Sequence, residues 1–378
     1  MSHSPTDGQV QFIGMIQTQK VSETHAPRGP AIDRDYVRAF AQAHEQAGFD
    51  RILVPHHSTS PDATLTVAFA ASVTERIHFM LAHRPGFVAP TLAARQFATL
   101  DQYTGGRLAV HYISGGSDEE QRRDGDWLNH DQRYARTDEY LEVLRKVWTS
   151  ERPFHHHGDH YQAENAFSEV KPVQTQDGLP HVPVYFGGAS EAALKVAGKH
   201  ADVYALWGET LEQARDLTTR VRAEAARHGR QVNFSVSFRP VLADTEEAAW
   251  ARADRILEET RRLRVVAGYS RGGPQQSEGA RRLLAAANQG PRVDKRLWTA
   301  IAQETGGRSN STGLVGTPEQ VAEALLDYWE LGVTTFLIRG FDPLEDALDY
   351  GRELIPRTRA LIAERAAARR AEAQRRVA

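Results

Sequence analysis

The chain has no cysteine. That excludes disulfides, thiolate metal centres and a cysteine nucleophile. It has no run of about 18 apolar residues, so no membrane-crossing helix is expected. Its opening residues, MSHSPTDGQV, lack the apolar stretch that directs secretion, and the expectation is a cytoplasmic protein. Neither sign of charge dominates: 46 Lys and Arg stand against 49 Asp and Glu, a formal net charge of -3. That balance gives no reason to expect nucleic acid or an anionic membrane as partner. No internal repeat is visible in the sequence.

What remains is ordinary for a globular protein: 378 residues, 40% hydrophobic and 25% charged. Short apolar runs alternate with helical patterns. Candidate strands are Phe12–Ile16, Arg51–Pro55, Ile77–His83, Leu108–Ser114, Val182–Phe186, Val203–Leu206, Phe234–Leu242 and Thr335–Ile338. Helical patterns fall between them and after the last. Such alternation indicates βα units and a parallel sheet. Eight units over this length predict an α/β fold of the (β/α)8 barrel type. A doubly wound open sheet is the alternative. The chain reads as one domain, 1–378, with two insertions. Residues 150–181 contain PFHHHGDHYQAENAF, a hairpin with a Gly-Asp turn. Residues 265–316, rich in Gly, Arg, Ser and Gln, read as mobile loops flanking a helix, and as a lid. The tail reads as a charged surface helix or subunit contact.

Several groupings could carry chemistry. The stretch DGDWLNHDQRYARTDEYLEVLRKVW brings Asn129, His130 and Tyr134 to the start of an amphipathic helix. A helix start offers free N–H groups and a positive dipole end, which suit a phosphate. A capped helix with solvated polar residues reads equally well there. YFGGASEAAL repeats the idea: a strand ends in Gly187-Gly188, and Ser190 sits at an N-cap position before Glu191. It lacks both the Gly-Lys-Ser/Thr ending of a phosphate loop and the GxGxxG spacing. SGGSDEE follows the fourth strand, at the end where barrel active sites sit. His155, His156, His157 and His160 invite a metal reading, but neighbours on a strand face opposite ways, and no metal site is expected. Cationic residues recur at strand ends: His56, His57, His83, Arg84, His111, Arg239 and Arg339, with Arg308 in the second insertion. A guanidinium suits a bidentate oxyanion, though any one of these reads as well as a structural ion pair.

Four segments together resemble the bacterial luciferase-like flavin monooxygenases, most closely their alkanesulfonate monooxygenase branch. They are APTLAARQFATLDQYTGGRLAVHYISGG, the Asp124–Trp148 stretch above, VPVYFGGASEAALKVAGKHADVYALWGE and STGLVGTPEQVAEALLDYWELGVTTFLIRGFDPLEDA. The resemblance spans Phe12 to about Pro356. It implies a (β/α)8 barrel that binds FMN, as FMNH2, at the C-terminal strand ends. It also implies molecular oxygen as co-substrate, an NAD(P)H-dependent flavin reductase as partner, and a homo-oligomer, dimer or tetramer. Matching motifs place His130, Tyr134, Ala189 and Ser190 near the FMN phosphate, and His83 is counted with the cofactor contacts. Trp207 matches an active-site tryptophan.

The substrate end departs from that branch. Its histidine after the first strand becomes Gln19, and its cysteine after the second becomes Ser60. Its Arg-x-His on the seventh strand becomes Ser237-Phe238-Arg239. Its tyrosine and histidine after the eighth become Phe341 and Pro343. Arg339 is a cation that the branch lacks, and Arg308 keeps its lid arginine. Arg239, Arg339, Arg308, Trp207 and Gln19 are therefore the catalytic candidates. The expected reaction is FMNH2-dependent oxygenation of a small organic substrate, a sulfonate or a bulkier sulfonated sugar, with release of sulfite. The alternatives are a deazaflavin-dependent oxidoreductase on the same barrel and a non-catalytic flavin-binding protein.

Overall fold

A computed structural model describes residues 8–173, 181–267, 277–307 and 311–377. The eight barrel strands are Gln11–Met15, Arg51–Val54, His78–His83, Leu108–Tyr112, Val184–Gly187, Val203–Trp207, Asn233–Leu242 and Val333–Ile338. Their order in the sheet is seventh, eighth, then first to sixth, and the sixth pairs again with the seventh. The fold is a (β/α)8 barrel. The strands read as apolar runs rather than as alternating patterns because parallel strands are covered on both faces. The seventh shows this most fully, with nine of its ten residues buried. Among the described residues, no helix is long and apolar enough to cross a membrane.

Contact clustering divides the chain into two compact units. The first comprises mainly Leu53–Tyr204 with Arg220–Val232. Its third and fourth strands run in register, His83 opposite Tyr112, and the fourth sets His111 opposite Tyr185 of the fifth. The helix His130–Thr149 begins in a capping box, Asn129 accepting from Gln132 N–H while the Gln132 side chain takes the Asn129 N–H. The expected hairpin is present as Phe154–His157 paired with Gln162–Ala166. Its turn is tied down by the Glu139 carboxylate, which accepts the His160 and Tyr161 N–H groups at 2.8 Å and meets His156 Nε2 at 2.9 Å.

The second unit comprises mainly His3–Ile52, Ala205–Thr219 and Asn233–Ala378. Here the structure corrects the reading of 265–316 as loops around a helix. Residues 278–307 hold two helices, Glu278–Ala287 and Ala300–Thr305, and two short strands, Arg292–Val293 and Leu297–Trp298. The latter pair with Gly313–Gly316, which runs parallel to the seventh barrel strand, Gly313 opposite Arg239. Trp298, Ile301 and Val315 are buried in one cluster with Val241, Trp250 and Phe341. Strands of two residues are too short to leave a periodic signal in sequence. The tail is a helix, Ile355–Val377.

Candidate active site

In the first unit, the fifth strand ends at Gly187 and the next helix, Glu191–His200, starts after Ser190. Ser190 Oγ accepts the Ala193 N–H at 3.3 Å, so the hydroxyl sits over the first helical turn. Gly188 makes the corner, with φ at +134°. A Cβ there would lie 2.8 Å from both Tyr134 Oη and Ala193 Cβ. The Tyr204 hydroxyl donates to the Gly188 carbonyl at 2.5 Å and holds the corner from the other side. Tyr134 is hydrogen-bonded to Ser190; burial raises its pKa, and the Ser190 bond and the Arg133 charge only partly offset that. Its ring packs beside His130, centroids 4.8 Å apart, and Phe186 at 6.3 Å. The structure therefore brings together His130, Tyr134, Ala189 and Ser190. Hydroxyls, an imidazole and a helix start converge there, a donor set that fits a phosphate.

His83 has other neighbours. Its ring lies 4.9 Å from Phe97, 5.9 Å from Tyr112 and 5.7 Å from Tyr140, and Nε2 is 2.8 Å from the Tyr140 hydroxyl. Burial, aided by the charge of His56, pushes its pKa down to about 3. That is a neutral imidazole in an aromatic cluster, and the grouping of His83 with the cofactor contacts finds no support in its surroundings. His111, on the opposite face of its strand from Tyr112, is also buried, and burial lowers its pKa to about 4. Beyond the strand ends, Glu120 accepts from Arg84 Nη2 at 2.7 Å and from the Ser58 N–H at 3.2 Å. Burial works to raise the Glu120 pKa, but Arg84 outweighs it and the carboxylate stays ionised more readily than usual.

The histidine hairpin supplies one stacked pair, His155 and His157, on an exposed face. Among the described residues, the three metal-competent side chains that converge are Asp138, Glu142 and His200. The Lys199 ammonium already bridges the two carboxylates, 2.9 Å from Asp138.

In the second unit, Arg239 lies within the seventh strand and Arg339 directly follows the eighth, and the two form a connected pair. Both were read as cations open to a substrate anion. The structure places a carboxylate of the chain between them. Glu23 Oε2 is 2.5 Å from Arg239 Nη1, and Glu23 Oε1 is 3.1 Å from Arg339 Nη2. Arg239 is wholly buried; it also donates to the Gly340 carbonyl at 2.9 Å and stacks 3.5 Å above the Phe341 ring. Burial works against the Glu23 charge, yet the two guanidiniums lower its pKa to about 2. Burial, with the Arg239 charge, lowers the Arg339 pKa to about 10, against the pull of Glu23. Sequence reasoning missed Glu23. The signal was available: two strand-end arginines with no assigned counter-charge require an acidic partner, and VSETH follows the first strand.

Trp207 ends the sixth strand, and its ring lies against the helix start at Gly279, where a Cβ would sit 2.9 Å from Cζ3. The Gln19 amide oxygen is buried without a hydrogen-bond partner among the described residues. Arg308 lies outside the described residues, as do 268–276 of the expected lid.

A family model described as luciferase-like monooxygenase matches residues 10–335. Among solved structures, the chain resembles the riboflavin lyase RcaE, solved with modified FMN and riboflavin: TM-score 0.75, 19% identity, 92% of this chain and 91% of that one. DmoA from Hyphomicrobium sulfonivorans gives 0.73, 22% identity, 93% and 88%. An F420-dependent secondary alcohol dehydrogenase, solved with an F420-acetone adduct, gives 0.67, 18% identity, 93% and 99%.

Proposed function

This chain belongs to the luciferase-like monooxygenase family, and from that premise we propose that it is an FMNH2-dependent monooxygenase acting on a small organic substrate. The observation that carries the proposal is the corner at Gly188, with Tyr134 and Ser190 against it. Those hydroxyls, the backbone of Ala189 and Ser190, and His130 would hold the flavin phosphate. Reduced FMN, when bound, supplies the electrons with which oxygen is activated. The chain's own part is to fix that cofactor by its phosphate and to keep the ring environment dry. The reduced flavin would come from a separate NAD(P)H-dependent reductase, and the working form would be a cytoplasmic homo-oligomer.

For the substrate we retain a sulfonate, cleaved at its C–S bond with release of sulfite, with Arg239 and Arg339 as the groups that would receive its oxyanion. Trp207, Gln19 and Arg308 complete the proposed substrate set. The pairing of both arginines with Glu23 sets a condition on that class: a sulfonate must compete with a carboxylate already in place.

Oxygen uptake with photoreduced FMN, across sulfonates and uncharged organosulfur compounds, tests the proposal. Substrate-dependent uptake with an oxygenated product supports it. The likeness to an F420-dependent dehydrogenase favours a second reading, hydride transfer from a reduced deazaflavin without oxygen. Anaerobic turnover with that cofactor, and none with FMNH2 in air, would replace the first reading by the second. Tight flavin binding with no turnover in either assay would point to a flavin carrier.

A further inference from the structure

The cluster at Arg239 poses a charge question of its own. Two guanidiniums and one carboxylate leave a net charge of about +1 at neutral pH. A substrate anion needs more than net charge: it needs donors whose hydrogen-bonding directions are not already used. Arg239 has both terminal nitrogens taken, and its Nε is buried with no hydrogen-bond partner among the described residues. One of its terminal nitrogens meets Glu23, the other donates to the Gly340 carbonyl, and its face is covered by Phe341.

Glu23 is not held by charge alone. It lies in the segment that follows the first strand, and its neighbours are pinned to the segment that follows the eighth. Ser22 Oγ donates to the Phe341 carbonyl at 2.6 Å and Thr24 Oγ1 to the same carbonyl at 3.1 Å. His25 Nε2 lies 3.2 Å from an Asp342 carboxylate oxygen. Ser22 and His25 also pair backbone to backbone at 3.0 and 3.2 Å. These contacts form a small clip, and the carboxylate at its tip sits where an external oxyanion would have to sit.

We propose that Glu23 is a specificity-determining residue: its carboxylate occupies the oxyanion position between Arg239 and Arg339, so an anionic ligand binds there only by displacing it. The protein then discriminates against small, fully solvated oxyanions such as inorganic sulfate. An anion is admitted when the rest of its molecule contributes enough binding to replace Glu23. The inference bears on turnover only through the substrate placement proposed above, but its test needs neither flavin nor oxygen.

The test is binding of inorganic sulfate and of methanesulfonate to the full chain, at chloride-matched ionic strength, by calorimetry and by thermal shift. The parent should bind both weakly. Glu23→Gln keeps the shape and removes the charge, and it should bind both at least tenfold more tightly, with a melting temperature that rises with sulfate. Glu23→Asp should behave like the parent. Ser22→Ala keeps every charge and loosens the clip, and it should bind sulfate about two- to threefold more tightly. Equal sulfate affinity in the parent and Glu23→Gln overturns the proposal. If Glu23→Gln does not fold, a Ser22→Ala affinity equal to the parent's overturns it instead. Anion binding as predicted, combined with no oxygenase activity on any substrate, would sink the monooxygenase reading and leave this one standing.

Discussion

The Gly188 corner and the Arg239 cluster are both polar sites built on barrel strands, and they solve opposite problems. The corner is built from neutral groups: two tyrosine hydroxyls, a serine at a helix cap and a bent backbone. Neutral donors cost little to hold ready, because each exchanges a modest hydrogen bond. The Arg239 cluster is built from full charges, one of them a wholly buried guanidinium. A buried guanidinium without a counter-charge is strongly unfavourable, so the chain supplies its own anion. The lesson is that a protein can hold a corner of neutral donors ready through backbone shape, whereas a buried cation pair comes with an occupant.

The largest predicted effect comes from breaking the charged region. Arg239→Ala leaves Glu23 with only Arg339 as counter-charge and removes a side chain that is wholly buried. Removing one partner of a buried pair costs about 3–5 kcal/mol, and the remaining arginine argues for the lower end. Urea denaturation at pH 7 measures it; a loss under about 1 kcal/mol would mean that the cluster is not a stabilising unit. The acid limb gives a second readout. The Glu23 pKa is about 2 in the folded chain against an ordinary 4.5. Its contribution is therefore fully present above about pH 4.5 and is lost as pH falls toward 2. In Arg239→Ala that acid-sensitive contribution should shrink, because one of the two charges holding the carboxylate ionised is gone.

Gly188→Ala tests the neutral region through its backbone. A φ of +134° is strained for any residue with a Cβ, and that Cβ would press on Tyr134 Oη and Ala193 Cβ at 2.8 Å. Strain of this kind costs about 1–3 kcal/mol. If the corner is the phosphate cradle, FMNH2 affinity measured anaerobically should fall more than tenfold. Intact flavin affinity in a folded variant would place the phosphate elsewhere.

A gentler change isolates the donors. Ser190→Ala with Tyr134→Phe removes two neutral hydroxyls, each contributing about 0.5–1.5 kcal/mol net. Roughly tenfold weaker FMNH2 binding is expected, at about 1.4 kcal/mol per decade. The same double change should leave sulfate binding at the Arg239–Arg339 pair untouched.

How far each region was legible follows from how local its causes are. The eight strands were readable to within about two residues, because apolar runs and the helical stretches between them are properties of neighbouring positions. The Gly188 corner was readable for the same reason: Gly-Gly, an N-cap serine and an acidic first turn lie within five residues of each other. Its hold on Tyr134 was partly visible and the Tyr204 brace was not. The need for an acidic partner was legible, but which carboxylate meets it was not, because Glu23 lies 316 positions from Arg339 and no local pattern encodes a pairing across that separation. The surroundings of His83 were illegible for a related reason. A strand-end histidine looks functional in sequence, and only the third dimension shows that Phe97 and Tyr140 enclose it.

The smallest expected effect sharpens the boundary of the neutral region. His83→Gln replaces an imidazole with an amide that can still reach the Tyr140 hydroxyl, so the hydrogen bond at 2.8 Å is conserved while the titrating group is lost. FMNH2 affinity should stay within about twofold, since hydrogen-bond changes that do not touch the ligand contribute little. A fall of tenfold or more would return His83 to the cofactor contacts. The pH dependence separates the two outcomes independently. Burial first, and the His56 charge second, hold His83 near 3 against an ordinary value of 6.5. The ring is therefore neutral in the folded chain where the unfolded chain would already be protonated. Each such histidine makes stability fall as pH drops from 6.5 toward its folded value. His44 and His111, both near 4, act in the same direction. His83→Gln should thus make the decline below pH 6.5 shallower without abolishing it, by up to about 1.4 kcal/mol per pH unit for the one proton removed. Stability curves that superimpose between pH 4 and 6.5 would show that His83 is already protonated in the fold, and the aromatic-cluster assignment would fall with it.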